Sequence, residues 1–222
     1  MTIDYQRRPH SIGREQRAYD QIILFGDSIT QGSENQEKGF GFAPALRDDY
    51  IRRVDVVNRG FSGYTSQLAL KVLPQFMPDP SQANVRMMTI FFGSNDATLP
   101  GNAQHVPLAD YVACLEAIVR HPAVAAQGAK VVLITPGPVD EHQLEPNDLA
   151  AGYSGLQRTA ENTKRYAAAC RDLGKHLDVP VVDLWTVFAE AAGWKEGGPL
   201  PGSKREGRNQ VLGSLLSDGK FE

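Results

Sequence analysis

The sequence predicts an α/β protein: a three-layer sandwich with a five-stranded parallel sheet between layers of helices. Three observations carry this. Short runs rich in Val, Ile and Phe alternate with longer segments of helical period. The run "VRMMTIFFGSND" is apolar on both faces around Ile90 to Phe92, as a central parallel strand is. Strands separated by helices imply right-handed crossovers, which bury a parallel sheet between helix layers.

The first strand runs through Ile22, Ile23, Leu24 and Phe25 and is closed by Gly26. Phe42, Leu46 and Tyr50 recur every fourth residue and predict a helix. "VDVVNRG", Val54 to Gly60, is the second strand; Ala69, Val72, Leu73 and Phe76 mark the helix after it, broken by "MPDPS". The third strand leads to a helix through Tyr111, Leu115, Ile118 and Val119, ended by Pro122. "AKVVLITPGPVD" is a fourth strand running into a Pro/Gly loop, and Tyr166, Cys170, Leu173 and Leu177 define a long helix. In the fifth strand, "VPVVDLW", Pro180 lacks an amide donor and so places the strand at a sheet edge. Leu184, Val187, Phe188 and Ala191 form a further helix, and Lys195 to Gly207 reads as a flexible surface loop. With 222 residues, no internal repeat and no long linker, the chain is read as one domain over 1–222.

A net charge of −3 and a pI near 6.0 argue against a nucleic-acid partner. No apolar run reaches the length of a bilayer span, and the polar start lacks the apolar stretch of a secretory signal. Two cysteines, Cys114 and Cys170, both in helical segments, read as buried thiols of a reducing compartment. The expectation is a soluble, cytoplasmic protein.

In doubly wound sheets ligands bind beyond the C-terminal ends of the strands, where the winding direction switches. The first strand ends in "GDSIT", the second in "NRGFSGY" and the third in "GSND". Taken singly, Ser28 reads as a helix cap, Gly60 as a turn and Asn95 as a helix start. If the first strand lies between the other two, all three meet in one crevice. A hydroxyl flanked by an amide N–H and a carboxamide is an acyl-transfer site, with donors for the oxyanion formed when Ser28 attacks an ester carbonyl. Asp27 and Asp96 are read as carboxylates that fix turns by accepting backbone N–H bonds. The absence of a GxGxxG or P-loop pattern after the first strand leaves a nucleotide-binding reading weak.

"FGDSIT", Gly60 in "NRGFSGY", "GSND" and the late "SDG" resemble, in order and spacing, the four sequence blocks of the SGNH (GDSL) hydrolases. Their wording is most similar to the isoamyl acetate-hydrolysing esterase branch. The resemblance implies a flavodoxin-like fold, hydrolysis of a small acyl ester and no metal or organic cofactor. It also implies Ser28 as nucleophile, the amides of Ser28 and Gly60 with the Asn95 side chain as oxyanion hole, and Asp218 as the residue that orients the base.

In that family the base is a histidine three residues after the aspartate; from Asp218 that position is Phe221, which takes no proton. The helix that usually follows the histidine is also missing from this sequence, so the tail is read as truncated, and self-association into a homo-oligomer is compatible with core surface left uncovered. His10, His121 and His176 stand in the polar arm or at helix ends, while His105 and His142 fall in loops on the site's side of the sheet. His142 is the better-placed substitute, although a loop histidine is ordinarily just solvated. Loss of a triad histidine costs on the order of a millionfold in kcat, about 8 kcal/mol, with roughly a thousandfold over water retained from binding and oxyanion donors. The sequence therefore predicts an esterase with strongly impaired activity, or a catalytically silent form that still binds its ligand or a partner.

Overall fold

The structure, a computed structural model, describes residues 20–216. Strand β1 (Asp20–Gly26) pairs in parallel with β2 (Asp55–Gly60) on one side and β3 (Asn84–Phe91) on the other. Beyond β3 lie β4 (Lys130–Ile134) and β5 (Val181–Val182), so the order is β2-β1-β3-β4-β5, parallel throughout. The chain winds outward from β1 to β2 and then reverses to β3. The ends of β1, β2 and β3 are therefore neighbours at a switch point, which meets the condition set in the sequence reading that the first strand lie between the other two.

Side chains alternate across a strand, and β1 shows why its whole run is apolar. Ile23 and Phe25 join the larger core, with Leu73 of α3 (Ser66–Phe76), Leu115 and Ile118 of α4 (Leu108–Val119) and Tyr166 and Leu173 of α7 (Ala160–Leu177). Ile22 and Leu24 point the other way, onto Ala43, Phe42 and Leu46 of α2 (Phe42–Asp49). Phe25 meets Phe92, Phe76 and Phe61 edge-on, with ring centroids 4.8, 4.9 and 6.1 Å away. A third cluster sets Trp185 and Ala189 of α8 (Leu184–Ala191) against Ala167. Both cysteines are free, Cys170 buried and Cys114 half-buried.

β5 is an edge strand of only two residues, as Pro180 implies, and the Pro180 carbonyl accepts the Leu133 N–H at 2.9 Å. Besides the short helix at Ser28–Gly32, three α-helices among the described residues lie outside the periodic reading. α5 (Pro122–Gln127) begins at the proline taken to end its predecessor, where a missing N–H costs nothing. α6 (Glu141–Ala150) occupies what reads as a Pro/Gly loop, and α9 (Gln210–Leu215) lies near the end of the described residues. The 195–207 segment is irregular, as expected, yet tied down: buried Glu141 accepts the Lys204 N–H at 2.8 Å, and the Gly202 carbonyl accepts the Glu141 N–H at 2.8 Å. No described helix is long and apolar enough to cross a membrane.

Candidate active site

Strand β1 hands over to the one-turn helix α1 (Ser28–Gly32) through Asp27. Asp27, not Ser28, is the N-cap: its Oδ1 accepts the Ile29 N–H at 2.9 Å, the turn-fixing role expected of it. Ser28 becomes the first helical residue, and its amide has no acceptor among the described residues, as for a first-turn N–H. Asp27 is fully buried, and Oδ2 has no hydrogen-bond partner among the described residues. Burial pushes its carboxyl up to about 7; Asp96 adds to the rise, while the Ile29 N–H and Arg158 oppose it.

A helix of one turn is not stable by itself, and β2 supplies what α1 lacks. Asn58 Nδ2 donates to the Thr30 carbonyl at 2.8 Å and to Glu34 Oε1 at 3.0 Å. Gly60 sits directly beneath this helix: a Cβ there would lie 2.0 Å from Gln31 N. Its N–H is engaged with Asn58 Oδ1 at 2.8 Å, and Gly60 does not line the cavity beside Ser28. The residue stands at the expected strand end, but its amide is occupied. Three residues on, the chain turns sharply at Gly63, with φ +78° and its carbonyl held by Gln104 Nε2 at 3.0 Å. The Gly63 amide has no acceptor among the described residues.

At the end of β3 the Asn95 carboxamide donates to the Tyr64 carbonyl at 2.8 Å, which joins it to that turn and leaves its second N–H. Asp96 fixes the same junction by accepting the Ser66 N–H at 2.9 Å and the Ser66 hydroxyl at 2.5 Å. Burial raises the Asp96 carboxyl above its ordinary range, and these Ser66 bonds oppose the rise. Its expected part as a turn-fixing acceptor holds.

Ser28 and Asn95 open into one cavity of about 230 Å³. Ile29, Phe91, Leu144, Leu184 and Phe188 make much of its wall, and Asp140 and Arg158 are its charged side chains. Asp140 caps α6, with Oδ1 accepting the His142 N–H at 2.9 Å. No histidine lines the cavity among the described residues. His142 lies on the first turn of α6 rather than in a loop, and its Nε2 contacts the Glu206 carbonyl at 3.0 Å. His105 Nδ1 lies 2.6 Å from the Thr98 carbonyl, and His121 caps α5 by accepting the Ala123 N–H. His176 falls in the last turn of α7, where a cation suits the helix dipole. Asp218, Phe221 and His10 lie outside the described residues. No three described His, Cys, Asp or Glu side chains gather as a metal site requires.

Arg158, Asp140 and Asn58 escaped the sequence reading. Asn58 alone left a signal, as a polar residue inside the apolar run "VDVVNRG". The cavity can hold a small, largely apolar ligand against a serine hydroxyl, a free helix-start amide and a carboxamide, which is the equipment of acyl transfer.

Comparison with known proteins agrees. Residues 24–203 match the GDSL-like Lipase/Acylhydrolase family. The chain belongs to that family, a family of hydrolases acting as esterases and acylhydrolases. A GDSL esterase/lipase of Arabidopsis thaliana is 37% identical over 183 residues, covering 79% of this chain and 74% of its own length. The human isoamyl acetate-hydrolyzing esterase 1 homolog is 36% identical over 177 residues, 78% of this chain and 70% of its own. Among solved structures, a lipase/acylhydrolase from Enterococcus faecalis superposes with a TM-score of 0.54 at 28% identity, over 76% of this chain and 78% of that one. The acetyl xylan esterase AlAXEase shares the fold at a TM-score of 0.58 and 20% identity, over 77% and 80% of the two chains.

Proposed function

We propose that this chain hydrolyses short acyl esters through an acyl-Ser28 intermediate, with activity strongly impaired by the absence of a base at position 221. The observation that supports it best is the shared cavity: Ser28 and Asn95 face one space of about 230 Å³. That is below the roughly 300–1,000 Å³ typical of drug-sized ligands, which favours a short substrate. Small acetate esters, of the kind named for the human and rodent relatives, suit it.

Ser28 attacks the ester carbonyl, and the oxyanion accepts hydrogen bonds from the Ser28 amide and the second N–H of Asn95. For the third donor we assign the Gly63 amide in place of Gly60. Gly60 N–H is engaged by Asn58, whereas Gly63 N–H is unengaged among the described residues and its neighbour Tyr64 is bonded to Asn95. Collapse of the tetrahedral species breaks the ester C–O bond and expels the alcohol, which leaves with the proton given up by the Ser28 hydroxyl; water then cleaves the acyl-serine, returning a proton to Ser28 and releasing the acid. Asp218 would orient a base, but Phe221 stands where the family places its histidine.

A second reading, a silent form that binds its ligand without turnover, is favoured by the lack of any histidine lining the cavity among the described residues. Turnover of p-nitrophenyl acetate by the folded chain, beside its Ser28→Ala variant, separates the two. The first reading expects a rate small but clearly above that of the variant. Equal rates at background would leave binding alone.

A further inference from the structure

Arg158 lies between α6 and α7 and lines the cavity that Ser28 and Asn95 share. Among the described residues its Nε is buried without a hydrogen-bond partner, and none of their ion pairs includes it. The acids around it each give one oxygen to a backbone N–H, and none comes within ion-pair distance of the guanidinium. Asp148 Oδ2 accepts the Gln157 N–H at 2.9 Å, and Asp27 is sealed beneath Ser28 with Oδ1 on Ile29. Asp140, across the cavity lining, spends Oδ1 on capping α6. Asp148 and Asp27 both favour the charged guanidinium, but burial outweighs them and pulls it below its ordinary range.

A guanidinium that shares a cavity with Leu144, Leu184, Phe188 and Phe91, and whose Nε is buried without a hydrogen-bond partner among the described residues, is costly, since a buried charge wants an anion and hydrogen bonds. Its planar fork matches a carboxylate in two parallel bonds. No described side chain provides that carboxylate, and the open space beside Arg158 is the substrate cavity itself. Resting on the esterase reading above, we infer that the ester held in this cleft carries a carboxylate of its own, as the half-ester of a short dicarboxylic acid does. Arg158 binds that carboxylate while the ester carbonyl lies against Ser28 and Asn95. Arg158 is then a specificity residue, selecting anionic over neutral esters.

The test is calorimetric binding to Ser28→Ala, which cannot turn the ligand over, with monomethyl glutarate and its neutral counterpart dimethyl glutarate. The half-ester is expected to bind ten- to a hundredfold more tightly, the range for a hydrogen bond to a charged group. Adding Arg158→Gln should abolish the preference, and Arg158→Lys, which keeps charge but not the fork, should retain only part of it. Equal binding of the two esters, a preference that survives Arg158→Gln, or binding of neither ester overturns the inference. If the Gln variant fails to fold by circular dichroism, the Ser28→Ala preference and its partial loss in the Lys variant decide. Failure of the esterase reading shows separately: the unsubstituted chain treated with p-nitrophenyl acetate would carry no acetyl group on Ser28 by mass spectrometry.

Discussion

Replacing Gly60 by alanine tests whether this glycine is a packing requirement rather than a ligand donor. The new Cβ would lie 2.0 Å from Gln31 N, 2.4 Å from Gln31 Cα and 2.7 Å from the Thr30 carbonyl carbon. Relaxed carbon contacts are about 3.5–4.0 Å, and these are backbone atoms that cannot swing aside. Helix α1 must therefore lift off β2 by about 1 Å or more, at the overpacking cost of about 1–3 kcal/mol. The lift also strains the Asn58 Nδ2 bond to Thr30, and a buried carbonyl deprived of its donor adds about 1–3 kcal/mol. Together this is about 2–6 kcal/mol, or a fall in Tm of about 4–24 °C at 2–4 °C per kcal/mol for a chain of this size. Thermal and urea unfolding followed by circular dichroism reads it. Alanine keeps the amide N–H, so a residue serving only as a backbone oxyanion donor would show unchanged stability and activity close to the parent's. A Tm within about 2 °C of the parent would refute the packing argument.

Gly63→Ala behaves differently: only Gln104 Nε2, 3.6 Å away, approaches the added Cβ, so the cost is the left-handed φ, about 1–2 kcal/mol in the same unfolding assay. Asn58→Ala removes the Gly60, Thr30 and Glu34 bonds at once and should destabilise by about 2–3 kcal/mol in urea titrations. Because the Asp27 carboxyl is raised to about 7 from an ordinary 3.8, the folded chain holds this proton more tightly than the unfolded one. Stability should accordingly fall as pH rises from about 4 to about 7, by up to roughly 4 kcal/mol, and Asp96 acts in the same direction. Asp27→Asn keeps the capping oxygen and should flatten this slope; a slope unchanged in the variant would place its origin elsewhere. Phe221→His should raise p-nitrophenyl acetate turnover at least tenfold above the unsubstituted chain, toward the large factor a triad base contributes. No increase in a folded variant would mean that the missing side chain is not what limits the rate.

The sheet was legible because parallel strands buried on both faces leave continuous apolar runs, as in Ile22 to Phe25 and Ile90 to Phe92. The meeting of Ser28 and Asn95 in one cavity hung on the first strand lying between the second and third, an order that strand-helix alternation leaves open and the sheet supplies. α6 and α9 were not legible: α6 carries Pro146 and a run of polar residues, so it lacks an apolar stripe. Both are held by tertiary bonds, as where Gln143 Nε2 donates to the Gly213 carbonyl at 3.1 Å. The state of the Gly60 amide was equally hidden, because one residue type at one spacing fits either an open donor or a closed turn. Only the position of the Asn58 side chain distinguishes them. Arg158 left no motif at all, since its standing depends on which carboxylates fail to reach it.

The clamp of α1 by β2 also bears on how variants of this protein combine. Gln31 receives the Ser62 N–H at 2.8 Å on its side chain while its backbone rests on Gly60, and Thr30 receives Asn58. Residues 28–34 and 58–62 are thus two halves of one folded unit, and the nucleophile inherits its stiffness from a strand it does not belong to. Substitutions drawn from both halves will not add, because either alone already loosens the shared contact. Any library built to retune this serine should vary the two segments jointly, since each sets the background in which the other is read.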